Sequence, residues 1–432
     1  MRKIIQTATA LLLAGSVLFL GGWSFGKVNR GVVIDGVEVG GMSYAAAEAV
    51  IRAHIADMLP PFTVRTPAGD FSFDLPFTDD VSALVRGARR GERLTAQVVR
   101  TWASAEEELL EVCRANSRAA QDATVQFTAA GFSYTPESAG VTCGHGCLVS
   151  DVLAALAAGE SEVCFAPAAY APRVTEQDLR ARTKRLASFQ TRYDASNAPR
   201  SHNIELAAER IAGTEIPAGG EFSFNTVVGK RTAANGFSEA TVIFDGEFVQ
   251  GVGGGVCQVS TTLMNAALRA GMQITESRPH SLSVSYVPPS LDAMVSDYSD
   301  LKFVNPRPYP VYIMASARGG SISFTFYGAP DGRRYETESH VLFRLLPPPE
   351  EVVEGEEDKV LRAPKEGLGS ESYLLVYEGD TLISRTLFRR DTYAVVRGKR
   401  QVKPIEEENA ENGEKISAIE CKNGCLFPDF PI

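Results

Sequence analysis

Apolar positions along this chain change their spacing several times, and each change marks an element. An almost unbroken apolar run from Ile4 to Trp23 stands at the N-terminus. Val32–Ile34 and Val37–Val39 read as two short strands about the Asp35-Gly36 turn. Ser43 is then placed to cap a helix through Met58. Phe62–Arg65 and Phe71–Phe73 alternate as a hairpin, and Val81–Arg90 reads as a helix stopped by Gly91. The order recurs. Val125–Phe127 and Phe132–Tyr134 form a second hairpin, and Leu148–Ala158 a helix closed by Gly159. Glu176–Arg185 reads as a connecting helix capped by Thr175.

From Ser188 the texture differs. Ile204, Ala207, Ala208 and Ile211 fall on one helical face. Phe222–Phe224 starts a strand, and from Gly229 to Tyr327 the chain is dense in strands and glycines. Pro347-Pro348-Pro349 followed by Glu350, Glu351, Glu354, Glu356, Glu357 and Asp358 reads as an acidic linker. Ser372–Tyr377, Thr381–Leu387 and Tyr393–Arg397 predict a small antiparallel sheet. The expected fold class is α+β. Its predicted parts are a signal-anchor (1–26), two small α+β repeats (32–100 and 101–187) and a mixed α+β domain (188–330). An acidic linker (331–367), a small β module (368–403) and a tail (404–432) follow.

Arg2 and Lys3 precede the first apolar run, which is about long enough to span a bilayer. It ends in Gly21-Gly22-Trp23-Ser24-Phe25, without the small-x-small site of a cleaved signal. The reading is a single-pass anchor over residues 4–23 in the cytoplasmic membrane, with the bulk of the chain extracytoplasmic. The net charge is −10 over 432 residues, which argues against nucleic acid as a partner. Five histidines make a short list of candidate bases. The seven cysteines include the close pairs Cys143/Cys147 and Cys421/Cys425. Outside the cytoplasm these read as disulfides, with Cys113 and Cys164 as a third bridge. A metal site using His145 is the rival reading for the first pair. No metal and no cofactor is expected.

The stretch Gly251–Thr262 carries the candidate chemistry. A glycine run enters a helix whose apolar face is Val259, Leu263, Ala266 and Ala270. Cys257 falls in its first turn, where the helix dipole favours a thiolate. On the bridge arithmetic it is also the cysteine left over. Backbone amides at Gly254 and Gly255, with Gln258, Ser260 and Thr261 alongside, could hold an oxyanion or a ligand. His280 is the candidate base. Ser281–Val287, Asp292–Asp297 and Leu301–Asn305 read as successive strands, so Asp300 is the preferred orienting carboxylate, with Asp292 and Asp297 behind it. The plainer reading of the same residues is a small buried cysteine beside an anion-holding loop.

From about Arg200 to Ala315 the sequence resembles the VanW family, named from vancomycin-resistance clusters. The match rests on Asn203-Ile204, Phe222-Ser223-Phe224-Asn225, Arg231-Thr232, Gly253-Gly254-Gly255-Val256-Cys257-Gln258, His280-Ser281, Tyr286-Val287-Pro288, Asp292-Ala293 and Asp300-Leu301-Lys302-Phe303. It departs at Met264, at Met294 and at Pro289-Ser290, where the family carries a glycine. The upstream repeats resemble the peptidoglycan-binding repeats that precede such domains. The resemblance implies an envelope protein that binds or acts on peptidoglycan or its stem peptides, in an accessory cell-wall or glycopeptide-resistance role. The alternative is a Cys-His-Asp thiol hydrolase or transpeptidase acting on peptidoglycan peptide amide bonds.

Overall fold

The computed structural model describes residues 26–102, 106–244, 247–403, 405–407 and 416–418. The expected anchor over 4–23 and the pair Cys421/Cys425 lie outside them. Among the described residues, no helix is long and apolar enough to cross a membrane. The chain divides into two compact units, one of residues 1–122 and 137–173, the other of 123–136 and 174–432.

In the first unit, two small cores form. Helix α1 (Tyr44–Met58) begins where Ser43 accepts a hydrogen bond from the Ala46 amide. It buries Ala47, Ile51 and Ile55 against α2 (Val81–Gly87) and the strands Val33–Ile34 and Val37–Glu38. The second core gathers α3 (Glu106–Ala115), α4 (His145–Ala157) and the hairpin of Phe62–Thr66 with Gly69–Phe73. Strand Glu162–Cys164 joins that hairpin in parallel. The hairpin therefore packs with the helices that follow it rather than with α1. The disulfide joins Cys113 of α3 to Cys143, so neither Cys143–Cys147 nor Cys113–Cys164 forms. With Cys143 spent, the pair also loses the thiolate that a metal site with His145 requires. Cys147 and Cys164 are free and exposed.

The second unit carries the larger core. Strands Lys184–Arg192, Ser321–Gly328, Val311–Arg318 and Thr214–Ile216 form an antiparallel sheet in that order. The hairpin Thr124–Thr128/Gly131–Thr135 belongs to this unit, with Phe132 edge-on to Tyr312 and Tyr327. A capping box between Thr175 and Asp178 opens α5 (Glu176–Arg182). Against the sheet pack α6 (Ala198–Ile211) and, after the short α7 (Phe224–Val228), α8 (Val256–Arg269). A second sheet orders Glu221–Ser223, Lys302–Val304 and Gln273–Glu276, where Phe222 stacks on Phe303 with centroids 4.7 Å apart.

Two expectations fail here. The region expected as an acidic linker contains strand Arg333–Leu345, which pairs with Gly367–Glu378, and that strand pairs with Thr381–Tyr393. The strand pairs along one edge with Gly367–Glu378, whatever the charge of the turn beyond it. Beside this sheet, Glu351–Glu354 and Lys359–Arg362 flank Lys399–Val402. The second failure is that Ser281–Val287 and Asp292–Asp297 are not strands.

Candidate active site

α8 is buried on both faces, which its pattern alone did not indicate. Val259, Leu263 and Ala266 enter the core, yet Ser260, Thr261 and Asn265 on the polar side are equally inaccessible. That polar side holds irregular chain. Ser260 Oγ donates to the Ala293 carbonyl at 2.7 Å, Thr261 Oγ1 accepts from the Ala293 amide at 2.9 Å, and Asn265 Nδ2 donates to the Leu291 carbonyl at 2.7 Å. Side chains of the helix thus replace a neighbouring strand for residues 291–293, so no ladder is needed to satisfy that backbone. Asp292 is fixed between them.

Cys257 stands in the first turn of α8, after Gly255 with φ +104°. Gly254 admits no side chain: a Cβ there would lie 2.6 Å from the Thr241 carbonyl oxygen. Asn203, fully buried on α6, ties this loop down. Its amide donates to the carbonyls of Ser238 at 2.9 Å and Gly254 at 3.0 Å, and its oxygen accepts from the Ser238 amide at 2.8 Å. The sulfur is half-buried. It donates to the Val295 carbonyl at 3.4 Å and accepts from the Val295 amide at 3.5 Å.

His280 bridges the cysteine and a carboxylate. Its Nδ1 donates to Asp292 Oδ2 at 2.6 Å and its own amide to the same oxygen at 2.7 Å. That leaves Nε2 as the nitrogen available to Cys257, whose thiol and this ring shift each other's proton affinity. Asp292 Oδ1 accepts from the Tyr393 hydroxyl at 2.5 Å and from Arg389 Nη2 at 3.2 Å. Burial pushes the Asp292 carboxyl up, but the bonds and charge of His280 and the Tyr393 hydroxyl outweigh it and hold it below the usual carboxylate range. Burial pulls His280 down, but Asp292 and Cys257 together push it up to about 9. Burial raises the Cys257 thiol, yet the bond and charge of His280, then Val295 and Arg231, bring it below its ordinary value. Both shifts move the pair toward thiolate and imidazolium.

Asp300, the preferred carboxylate, serves elsewhere. It accepts from Ser223 Oγ at 2.6 Å and from the amides of Asn225 at 2.9 Å and Leu301 at 2.8 Å, closing the start of α7. The expectation counted three strands, which carried His280 toward the third. The chain makes a single antiparallel bridge, Arg278–Met294, whose register continued by two residues on each side sets 280 opposite 292. Asp297 is exposed.

The oxyanion candidates divide. Gln258 is consumed: its amide donates to Thr191 Oγ1 at 3.0 Å and the Arg192 carbonyl at 2.8 Å, while its oxygen accepts from Arg200 at 2.7 Å. Ser260 and Thr261 hold the Asp292 segment, as described. The Gly254 carbonyl is taken by Asn203. The first-turn amide of Cys257 has no carbonyl of its own helix to bond, so it is free to serve an oxyanion. Tyr286 joins it. Burial and the neighbouring Cys257 charge push its hydroxyl well above the usual value, so it keeps its proton. Sequence reasoning quoted Tyr286 without assigning it a role. Among the described residues, no three His, Cys, Asp or Glu side chains are gathered to hold a metal ion. The parity argument for Cys257 also fails, since Cys147 and Cys164 are free too.

A cysteine at a helix start, a histidine interacting with it and a carboxylate bonded to the histidine make a candidate thiol-nucleophile constellation on an α+β domain. Residues 199–327 match the family model described as VanW like protein. Over 148 residues the chain is 45% identical to YoaR, an uncharacterized protein of Bacillus subtilis (strain 168). That stretch is 34% of this chain and 49% of the relative, so the chain spans about half the length of that relative. A solved structure, HP0197-G5, aligns with 16% of this chain and 97% of its own at 12% identity, with a TM-score of 0.10. Residues 199–327 are thus similar to the VanW family.

Proposed function

We propose that this protein is an extracytoplasmic thiol acyltransferase acting on amide bonds of peptidoglycan stem peptides, held to the membrane by residues 4–23. The observation that carries the reading is that one buried imidazole, His280, bonds Asp292 and interacts electrostatically with Cys257. The Cys257 thiolate attacks the carbonyl carbon. The oxyanion meets the Cys257 amide and the Tyr286 hydroxyl. As the C–N bond breaks, the leaving amine takes the proton from His280, and a thioester remains. An incoming amine or water gives its proton back to His280 and attacks the thioester, releasing the thiolate. An amine acceptor yields transpeptidation and water yields hydrolysis. Asp292 keeps the imidazole oriented throughout.

The plainer reading, an accessory wall-binding protein, shares the resemblance of the upstream repeats. It gives no account of the buried His280–Asp292 pair beside Cys257. Purified muropeptides incubated with the protein separate the two. Acyl transfer predicts new cross-linked or trimmed species, lost in Cys257→Ala. Unchanged muropeptides that nonetheless bind the protein favour the accessory role.

A further inference from the structure

The C-terminal sheet carries the outer half of the Asp292 site. The segment Ser281–Asp292 is irregular, and its contacts with strands Arg333–Leu345, Gly367–Glu378 and Thr381–Tyr393 are specific. Ser290 has φ +59°, a conformation that favours glycine, and it stands where the resemblance expects one. All three of its polar groups are held by the sheet. Its amide donates to the Tyr393 hydroxyl at 2.7 Å, its Oγ pairs with Ser370 Oγ at 2.7 Å, and its carbonyl accepts from Ser372 Oγ at 2.8 Å. Ser339 Oγ donates to the Pro289 carbonyl at 2.6 Å and the Ala394 amide to the Ser281 carbonyl at 2.8 Å. The Lys365 ammonium donates to the Ser283 carbonyl.

Tyr393 is fully buried, and its hydroxyl has both roles fixed. Because it accepts from the Ser290 amide, its one proton is directed to Asp292 Oδ1, 2.5 Å away. Arg389 donates to the Asp292 carbonyl at 2.8 Å as well as to Oδ1, and is itself oriented by Asp391 at 2.6 Å. We infer that Tyr393, seconded by Arg389, is a positioning residue of the thiol site: the C-terminal sheet orients Asp292 toward His280, and the site is incomplete without it. A carboxylate held on both oxygens cannot rotate away from the imidazole, which is what an orienting group must avoid. The inference rests on the proposed thiol chemistry.

The test is the pH profile of iodoacetamide labelling at Cys257 in the full chain, read by mass spectrometry, for wild type, Tyr393→Phe and Ser370→Ala. The charged and titratable groups facing the Cys257–His280–Asp292 line are Tyr286, Arg231, Tyr393 and Arg389, with Asp391 behind Arg389 and Arg200 near Tyr286. Tyr393→Phe removes one hydroxyl and changes no charge. Its labelling profile should move toward the free-thiol value near 8.5, and labelling at pH 6 should fall about tenfold or more, the cost of a lost hydrogen bond to a charged group. Ser370→Ala cuts the same seam without touching Asp292, and should lower the Tm while leaving the profile in place. If Tyr393→Phe shifts the profile no more than Ser370→Ala does, the tyrosine is structural only and the inference is overturned. Should Tyr393→Phe not fold, Arg389→Gln, which withdraws the other donor to Oδ1, is judged by the same criterion. A wild-type profile already centred near 8.5 overturns the thiol reading itself, a result distinct from an unmoved variant.

Discussion

Asp292 and Asp300 are both buried carboxylates, and their partners set them apart. Asp292 receives four donors and passes the effect to His280. Asp300 receives two amides and a hydroxyl and closes a short helix. Asp292→Asn should therefore lower acyl transfer by about 10²–10⁴ through loss of the imidazole's orientation and tautomer. Asp300→Asn should leave the labelling of Cys257 in place and cost about 1 kcal/mol of stability, a capping effect. Comparing labelling rates with Tm for both variants checks the division of labour. The pH dependence follows from the same residues. The Cys257 thiol sits below its ordinary value, so activity rises with pH before a free cysteine would ionise. His280 holds its proton up to about 9 and loses its acid form above that, so activity falls as pH climbs through that value. A profile that keeps rising past pH 10 would contradict this assignment.

At the scale of elements, what the sequence made legible was regular. The face Ile204, Ala207, Ala208 and Ile211 is buried as its spacing predicts, Ser43 and Thr175 cap their helices, and Cys257 lies in the first turn after the glycines. Long-range pairing was not legible. His280 and Asp292 meet through one isolated bridge and three side chains of α8, and neither leaves a periodic signal. The available hint was composition: Ser260, Thr261 and Asn265 on a helix that also carries a full apolar face need partners when buried. Tyr393 and Arg389 lie about a hundred residues from Asp292, as their bonds record, beyond the reach of local patterning. The glycine loop depends on Asn203 in the same way. Asn203→Ala strands the carbonyls and amide it serves, and should cost about 1–3 kcal/mol while slowing Cys257 labelling. Thermal unfolding with labelling kinetics on one preparation tests both effects.

For the whole molecule, the proposed thiol site draws on residues from 200 to 393: the VanW-like stretch at 199–327 would supply the nucleophile and the C-terminal sheet its support. Disulfide expectations went wrong because spacing in sequence does not report distance in space: Cys143 meets Cys113 of α3, not its near neighbour Cys147. That bridge closes a loop with a sequence separation of 30. In the chain-entropy account it is worth about 3–4 kcal/mol. Cys113→Ala/Cys143→Ala should lower the unfolding transition of the N-terminal unit accordingly, measured by calorimetry.

Acylation of Cys257 is the most direct test of the proposed chemistry. The full chain would be mixed with a peptidoglycan stem peptide, quenched in acid and weighed intact by mass spectrometry. It should gain the mass of the acyl fragment on the peptide containing Cys257. The adduct should disappear on hydroxylamine treatment and never form in His280→Ala. Turnover of the stem peptide with no adduct, and unchanged in Cys257→Ala, would contradict the account.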